Sequence, residues 1–214
     1  MGGMSETGSA VDGRVARGNE TRRRILRRTT DIASVEGLDA LSIGRIATEL
    51  KLSKSGVFTL FGSKEELQLA TVRAAARIYE EKVVRPALES GPAGVGRLRR
   101  LCESWLEYSR ERVFPGGCFF YGVLAEYDAR QGAVHDALAL AHRTWTGLVE
   151  RCVQEACEAG DLRRDTDAAQ LAFELIALME MANAHSVMHD EQTAYRWARV
   201  GIATRLDALA APGR

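Results

Sequence analysis

The segment "LKLSKSGVFTLFGSKEEL", Leu50–Leu67, decides the fold of the N-terminal part of this chain. Ser53 is predicted as an N-cap, because a serine side chain can accept a hydrogen bond from a free backbone N–H at a helix start. About two helical turns follow, and their apolar side consists of Val57, Leu60 and Phe61. Gly62 and Ser63 end this helix, and Ser63 with Glu66 forms a capping box that opens a new one. The segment therefore predicts a short helix followed directly by a long one.

Two further helices are predicted upstream of this segment. The first runs from about Asn19 to Gly37, where glycine suits a left-handed helix end, and its apolar stripe consists of Ile25, Ile32, Ala33 and Val35. The second is capped by Ser42 and has the amphipathic spacing of Ile43, Ile46, Ala47 and Leu50. Two short helices joined by a tight turn and braced by a longer one form a helix-turn-helix unit, whose second short helix can enter a major groove. Residues 1–18 lack periodicity and are predicted to be a disordered basic arm.

Small polar and basic residues lie at the starts of these helices. Helix starts offer free backbone N–H groups and a positive dipole end, both of which favour phosphate binding. The candidate phosphate contacts are Ser42, Ser53, Lys54, Ser55 and Lys64. Thr59 is expected to project toward base edges. The alternative interpretation treats these residues as ordinary caps of a three-helix packing unit.

The charge distribution favours the same partner, double-stranded DNA. The formal net charge is zero, but residues 14–28 hold seven arginines against one acid, Glu20. Such a stretch attracts polyanions. Arg17 and Arg22 are therefore further candidate DNA contacts. A solvated helix face explains a charge run alone equally well.

The stretch Leu41–Val72 resembles the DNA-binding domain of the TetR family of one-component transcriptional regulators, above all in "SKSGVF…F.SKEEL". Three positions depart from the family pattern. Phe58 stands where the family usually has a tyrosine, Leu60 where it has a histidine, and Lys51 replaces the glycine common in the turn. Because two polar contacts are thereby lost, Lys51 joins the candidate DNA contacts.

Composition and resemblance both indicate an all-α protein. The chain has only four prolines and many alanines, leucines, glutamates and arginines, which favour helix. The resemblance implies about nine helices, with a helix-turn-helix domain at 19–65 and a helical effector-binding and dimerisation domain at 66–214. It also implies a repressor released from a palindromic operator by a small, largely apolar effector. A protein of the same fold controlled by a protein partner is the alternative.

The second domain contains the aromatic residues from which an effector pocket would be built. Under the resemblance, the candidate ligand contacts are Trp105, Tyr108, Phe120, Tyr121, Trp145 and Phe173. The alternative is that they pack in an ordinary helical core. In TetR-like proteins the last two helices form a four-helix bundle with those of a second copy. The residues expected at this homodimer interface are Leu171, Leu175, Leu178, Ala182, Ala198, Ile202 and Leu209.

Several other classes of function are disfavoured. No apolar run reaches the roughly 18 residues that span a bilayer, and the N-terminus lacks a signal-peptide pattern, so we expect a cytoplasmic protein with no membrane partner. No nucleophile elbow, phosphate-binding glycine loop or H-E-x-x-H motif occurs, so we expect neither an enzyme nor a cofactor. His185 and His189 have a zinc-like spacing but lack a third ligand of recognised spacing, so no metal site is expected.

Overall fold

The computed structural model describes residues 7–212, and side chains from residue 16 onward. The N-terminal unit, called the head below, consists of α1 (Thr7–Glu36), a 3₁₀ turn (Leu38–Ala40), α2 (Ile43–Leu50) and α3 (Lys54–Phe61). The second domain follows as α4 (Lys64–Tyr79), a π turn (Glu80–Val84), α5 (Arg85–Leu88), α6 (Val95–Arg110), α7 (Phe119–Tyr127), α8 (Ala133–Glu158), α9 (Ala168–His189) and α10 (Thr193–Ala208).

The prediction of an all-α protein of about nine helices is confirmed. Because α4, the π turn and α5 follow one another without a break, they form one long rod, and the described residues contain nine helical units. Within residues 7–212 the only β pairing consists of two isolated bridges. No helix in this part of the chain is long and apolar enough to cross a membrane.

Serine caps start α2, α3 and α4, as the sequence predicts. The side-chain oxygens of Ser42, Ser53 and Ser63 each accept a hydrogen bond from the backbone N–H three residues later. Each bond satisfies one of the N–H groups that a helix start leaves unpaired. The caps therefore fix where the two short helices and the long rod begin.

The start of the first helix differs from the prediction. The helix begins at Thr7, twelve residues before the predicted start at Asn19. The extension contains no proline, and a helix once nucleated adds residues at little cost. The predicted arm is thus helical from Thr7, whereas residues 1–6 lie outside the described part of the chain.

Buried contacts join α1 to the long rod. Ile25, Ile32 and Ala33 are buried as predicted, but Val35 is exposed. Inside this contact the hydroxyl of Thr71 donates to that of Thr29, with the two oxygens 2.8 Å apart. Since both threonines are fully buried, this bond pairs two polar groups inside the core.

Candidate functional site

The exposed surface of α3 carries the chemistry expected of a DNA-reading helix. Lys54, Ser55 and Thr59 are exposed, whereas Val57 and Phe61 are buried against the rest of the head. The preceding turn is closed at Lys51, which has a left-handed backbone (φ 55°, ψ 43°). Leu52 N–H then donates to the carbonyl of Ala47 at 2.8 Å. This arrangement presents the first turn of α3 to solvent.

Two predicted contact residues already use their hydroxyls within the head. Ser53 Oγ accepts from Gly56 N–H at 3.1 Å, and Thr59 Oγ1 donates to the carbonyl of Ser55 at 2.9 Å. The capping interpretation of Ser42 and Ser53 is therefore confirmed. The Thr59 methyl group remains available for an apolar contact, such as that with a thymine methyl.

The structure places two other predicted DNA contacts differently. Arg22 donates from Nη1 to the carbonyl of Leu60 at 2.7 Å, and its guanidinium lies 4.6 Å from the centre of the Phe61 ring. Lys64 donates from Nζ to the carbonyl of Asp39 at 2.7 Å. Arg22 is thus a brace between α1 and α3, and Lys64 ties the start of α4 to the 3₁₀ turn. The sequence shows the charge of each residue but not its internal partner, and contact of either residue with DNA stays a prediction.

The arginine-rich stretch divides into internal and outward-facing residues. Arg27 donates to the carbonyl of Val113 at 3.2 Å, and Arg28 pairs with Glu49 at 2.6 Å. Arg17 is exposed and lines a groove of about 330 Å³ between α1 and α3, together with Ser53 and Thr59. Arg17 therefore supplies positive charge beside the reading helix, whereas Arg27 and Arg28 have partners elsewhere in the protein.

Phe58 is a candidate contact that the sequence prediction left out of the site. Its side chain is 57% exposed on α3, although an aromatic side chain of that size is normally buried. The available signal was its position next to Val57, off the buried side of the helix. An exposed phenyl ring on a reading helix suits contact with sugars or thymine methyl groups.

The predicted ligand aromatics form a packed cluster in place of a cavity lining. Tyr79, the last residue of α4, makes edge contacts with Tyr108, Phe120 and Trp145 at centroid distances of 5.5, 5.7 and 5.3 Å. Trp105 packs on Tyr108 in the same cluster. Trp105 and Tyr108 are fully buried, which favours the core-packing alternative for these two. Burial strongly raises the pKa of the Tyr79 and Tyr108 hydroxyls, which stay neutral.

A cleft of about 440 Å³ lies between α7 and α8 and is called the effector cleft below. Its floor is apolar, and its lining comprises Tyr121, Leu124, Ala125, Tyr127, Asp128, His135, Leu138, Ala139, His142, Arg143 and, from α9, Glu180. Of the six predicted ligand contacts only Tyr121 belongs to it. Phe173 is 70% exposed on α9 and lies outside the cleft. Aromatic content identified the right domain but not the faces that meet at the cleft.

The cleft and the head share α7. The Glu126 carboxylate accepts from the backbone N–H groups of Leu38 and Asp39 at 2.7 and 2.9 Å. Arg130, just after α7, pairs with the Asp39 carboxylate at 2.5 Å and holds its pKa below the usual range. With Lys64 on the Asp39 carbonyl, these contacts form what we call the Asp39 junction. A displacement of α7 therefore acts directly on the head.

The predicted dimer-interface residues lie inside the protomer. Six of them are buried and Leu178 is half-buried, since α9 and α10 pack on each other with Leu178 against Gly201. A second copy would meet other side chains. The exposed large apolar residues of these two helices are Phe173, Met181, Val187, Met188, Trp197 and Val200, called the α9–α10 face below.

The two histidines considered for metal binding stack on each other. The rings of His185 and His189 lie 4.5 Å apart between centroids, and His185 Nδ1 lies 3.3 Å from a Glu191 carboxylate oxygen. Across residues 7–212, no group of three or more ligand side chains has the geometry of a metal site.

These features define a class of protein: a helical molecule with a helix-turn-helix head joined to a larger helical domain. Family models place it further. The family described as "Bacterial regulatory proteins, tetR family" matches residues 25–71, and "Tetracyclin repressor-like, C-terminal domain" matches residues 94–202. The chain therefore belongs to the TetR family of bacterial transcriptional regulators, which bind DNA and are not enzymes.

Solved structures agree with this assignment. A TetR transcriptional regulator from Chloroflexus aurantiacus J-10-FL is 25% identical, with a TM-score of 0.83 over 91% of this chain and 98% of that chain. A TetR-family regulator from Streptomyces coelicolor is also 25% identical, with a TM-score of 0.75 over 89% and 96%. AibR, solved with isovaleryl coenzyme A and operator DNA, shares the fold at 18% identity, with a TM-score of 0.69 over 90% and 99%. No curated protein sequence matches the chain.

Proposed function

We propose that this protein is a homodimeric, cytoplasmic repressor that leaves a palindromic operator when a small molecule occupies the effector cleft. The observation that carries the proposal is the exposed side of α3, where Lys54 and Ser55 in the first turn and Phe58 and Thr59 in the second face solvent beside Arg17. The basic groups supply phosphate contacts, and Phe58 and Thr59 supply the contacts to base edges. We also propose that the DNA-binding domain ends at residue 65 and that the effector-binding and dimerisation domain begins at residue 66.

The α9–α10 face supports the homodimer. Exposed apolar patches of this kind on a monomer mark interaction surfaces. Phe173 and Met181 lie two turns apart on α9, and Trp197 and Val200 lie one turn apart on α10. A two-fold pairing of this face places two heads on one side of a dimer, as a palindromic operator requires.

The Asp39 junction supports the release mechanism. A ligand that displaces α7 when it binds between α7 and α8 would act on the head, because α7 holds the 3₁₀ turn of the head through Glu126. We therefore propose α7 as a route by which ligand binding in the cleft alters the distance between the heads. Allosteric coupling of about 1–3 kcal/mol is typical and changes operator occupancy substantially. AibR, of the same fold, was solved with both operator DNA and a small ligand.

Fluorescence anisotropy tests the DNA-binding part of this proposal. The purified protein is titrated onto labelled DNA from immediately upstream of its own gene, and onto scrambled DNA, at about 50 and 200 mM salt. We expect tight, salt-sensitive binding to the upstream fragment alone. Equal, weak binding to both fragments would contradict specific control of its own promoter.

A further inference from the structure

The effector cleft contains a half-buried carboxylate that has no charged partner among the described residues. Glu180 reaches the cleft from α9 and is half-buried. Within the described part of the chain its carboxylate has neither an ion-pair partner nor a hydrogen-bond donor. Burial alone raises the pKa of this carboxyl. A carboxylate removed from water without compensation costs free energy, and a partner of opposite charge would recover it.

Glu180 lies near the first turn of α7. Burial chiefly raises the pKa of the Cys118 thiol to about 11, and the negative charge of Glu180 adds to this effect. Cys118 directly precedes α7, and Tyr121 lies in its first turn with a 38% exposed ring in the cleft. An aromatic ring beside a carboxylate suits an ammonium group, which both attract.

Two histidines and an arginine also line the cleft, but they are differently placed. His135 Nδ1 already contacts the Asp136 carboxylate at 3.0 Å. His142 and Arg143 are exposed, so water screens them and they can turn outward. Glu180 is the more desolvated charge, and a desolvated charge interacts more strongly.

We propose that the effector is a small organic cation with an apolar body, its ammonium group held by Glu180 and its body on Leu124, Ala125, Leu138 and Ala139. This inference rests on the proposed function, because it takes the cleft as the effector site. It narrows a generally apolar effector to one that carries a positive charge at one end.

Calorimetric titration with three matched probes tests the class of ligand. The probes are phenylbutylammonium, phenylbutanol and phenylbutyrate, which share one apolar body and differ in charge. Wild-type protein should bind the cation about tenfold more tightly than the alcohol or the anion. Glu180→Gln should remove that preference and leave the affinity for phenylbutanol unchanged. Glu158→Gln, which removes an exposed carboxylate at the end of α8 outside the cleft, should keep it.

Three outcomes would overturn the inference: no preference for the cation, a preference that survives Glu180→Gln, or no binding of any probe below about 1 mM. DNA binding, measured on the same samples, separates this failure from failure of the proposed function. Specific DNA binding without any cation preference would overturn the ligand class alone. Cation binding through Glu180 that leaves DNA bound would support the ligand class and contradict its role in release.

Discussion

Lys54 and Thr59 lie on the same exposed helix but are expected to contribute differently to DNA binding. The Lys54 ammonium lies in the first turn of α3 with no partner among the described residues, so it is free to contact a phosphate. Phosphate contacts act on every sequence, whereas contacts to base edges discriminate between sequences. The hydroxyl of Thr59 is bonded to Ser55, so its methyl group is the part that meets a base.

Replacing these two residues should therefore give distinguishable results. Lys54→Ala should weaken binding to specific and random DNA alike and lower the logarithmic salt slope by about 0.9 for each subunit bound. Thr59→Ala should mainly reduce the preference for specific over random DNA, by roughly 1 kcal/mol in the difference between the two binding free energies. Lys82→Ala, at an exposed lysine on the π turn, is the matched control and should change neither quantity. Anisotropy titrations at several salt concentrations measure the affinity and the salt slope. If Thr59→Ala lost the same affinity for specific and for random DNA, Thr59 would not contact base edges as proposed.

Glu180 should lower the stability of the protein at neutral pH. Because burial raises its pKa, the folded state binds the proton more tightly than the unfolded state does. Stability therefore falls as pH rises from the unfolded-state pKa, about 4.3, through the folded-state value. Glu180→Gln should raise the melting temperature at pH 7, and the difference should disappear as pH falls to about 4. Thermal melts across this pH range measure it.

The opposite sign at pH 7 would have a specific meaning. A less stable Glu180→Gln variant would show that the positive end of α7 already stabilises the carboxylate. That result would contradict the account of an unbalanced charge. Asp128→Asn changes an exposed carboxylate and should leave the melting temperature at pH 7 near that of wild type.

The sequence could predict the roles of single residues whose hydrogen-bond partners lie close by in the chain. Ser42, Ser53 and Ser63 cap helices through bonds to residues three positions away, so the pattern contains both partners. Arg22 and Lys64 bond to carbonyls 38 and 25 residues away, and no local pattern contains those partners.

At the scale of elements, the loop between α6 and α7 is fixed against the end of α1. Gly116 N–H donates to Ser34 Oγ at 3.1 Å. A Cβ atom at residue 116 would lie 1.8 Å from the Ser34 carbonyl oxygen. Since that oxygen belongs to the backbone of a helix, it cannot move aside cheaply. Only glycine allows this approach between the second domain and the head.

Gly116→Ala should therefore destabilise the protein by about 1–3 kcal/mol, the usual cost of overpacking. Gly96→Ala is the control, because this glycine lies inside α6 with no atom within 4 Å of the added Cβ. The control should stabilise by roughly 0.5–1 kcal/mol, since alanine favours helix. Urea unfolding at equilibrium measures both, and an unchanged midpoint for Gly116→Ala would show that the loop is not held as described.

Elements with one clear apolar stripe were predictable, and elements without one were not. In α2 the stripe fixed the buried face, including Ile46 and Ala47. In α9 apolar residues occur all round, so sequence could not tell the inward Leu171 and Leu175 from the outward Phe173 and Met181. The predicted interface therefore fell on residues that pack within the protomer.

At the scale of the whole molecule, the α9–α10 face should hold two copies together. Met181→Glu places a charge in the middle of this face and should convert dimer to monomer without unfolding, since the side chain is exposed. Leu140→Glu introduces the same change at an exposed leucine of α8 and should leave the dimer intact. Light scattering after size exclusion measures the mass of both variants. A Met181→Glu protein that remains dimeric would contradict this interface.

The overall architecture followed from sequence, but the cleft did not. Helix caps and amphipathic spacing are local and determine the order of helices. The cleft depends on which faces of α7, α8 and α9 meet. Large aromatic side chains such as Tyr108 and Trp145 pack around Tyr79 in the core. Of the predicted ligand contacts only Tyr121 therefore lines the cleft.

Selection from random duplex DNA tests the central claim, sequence-specific binding by a two-fold dimer, most directly. The protein is incubated with a random library, and bound fragments are amplified and sequenced over several rounds. The account predicts enrichment of one inverted repeat, with half-sites about one helical turn apart or a multiple of it. The Met181→Glu variant, carried through the same selection, should not enrich the inverted repeat. Enrichment of no sequence, or of a single half-site without its inverted copy, would contradict the account.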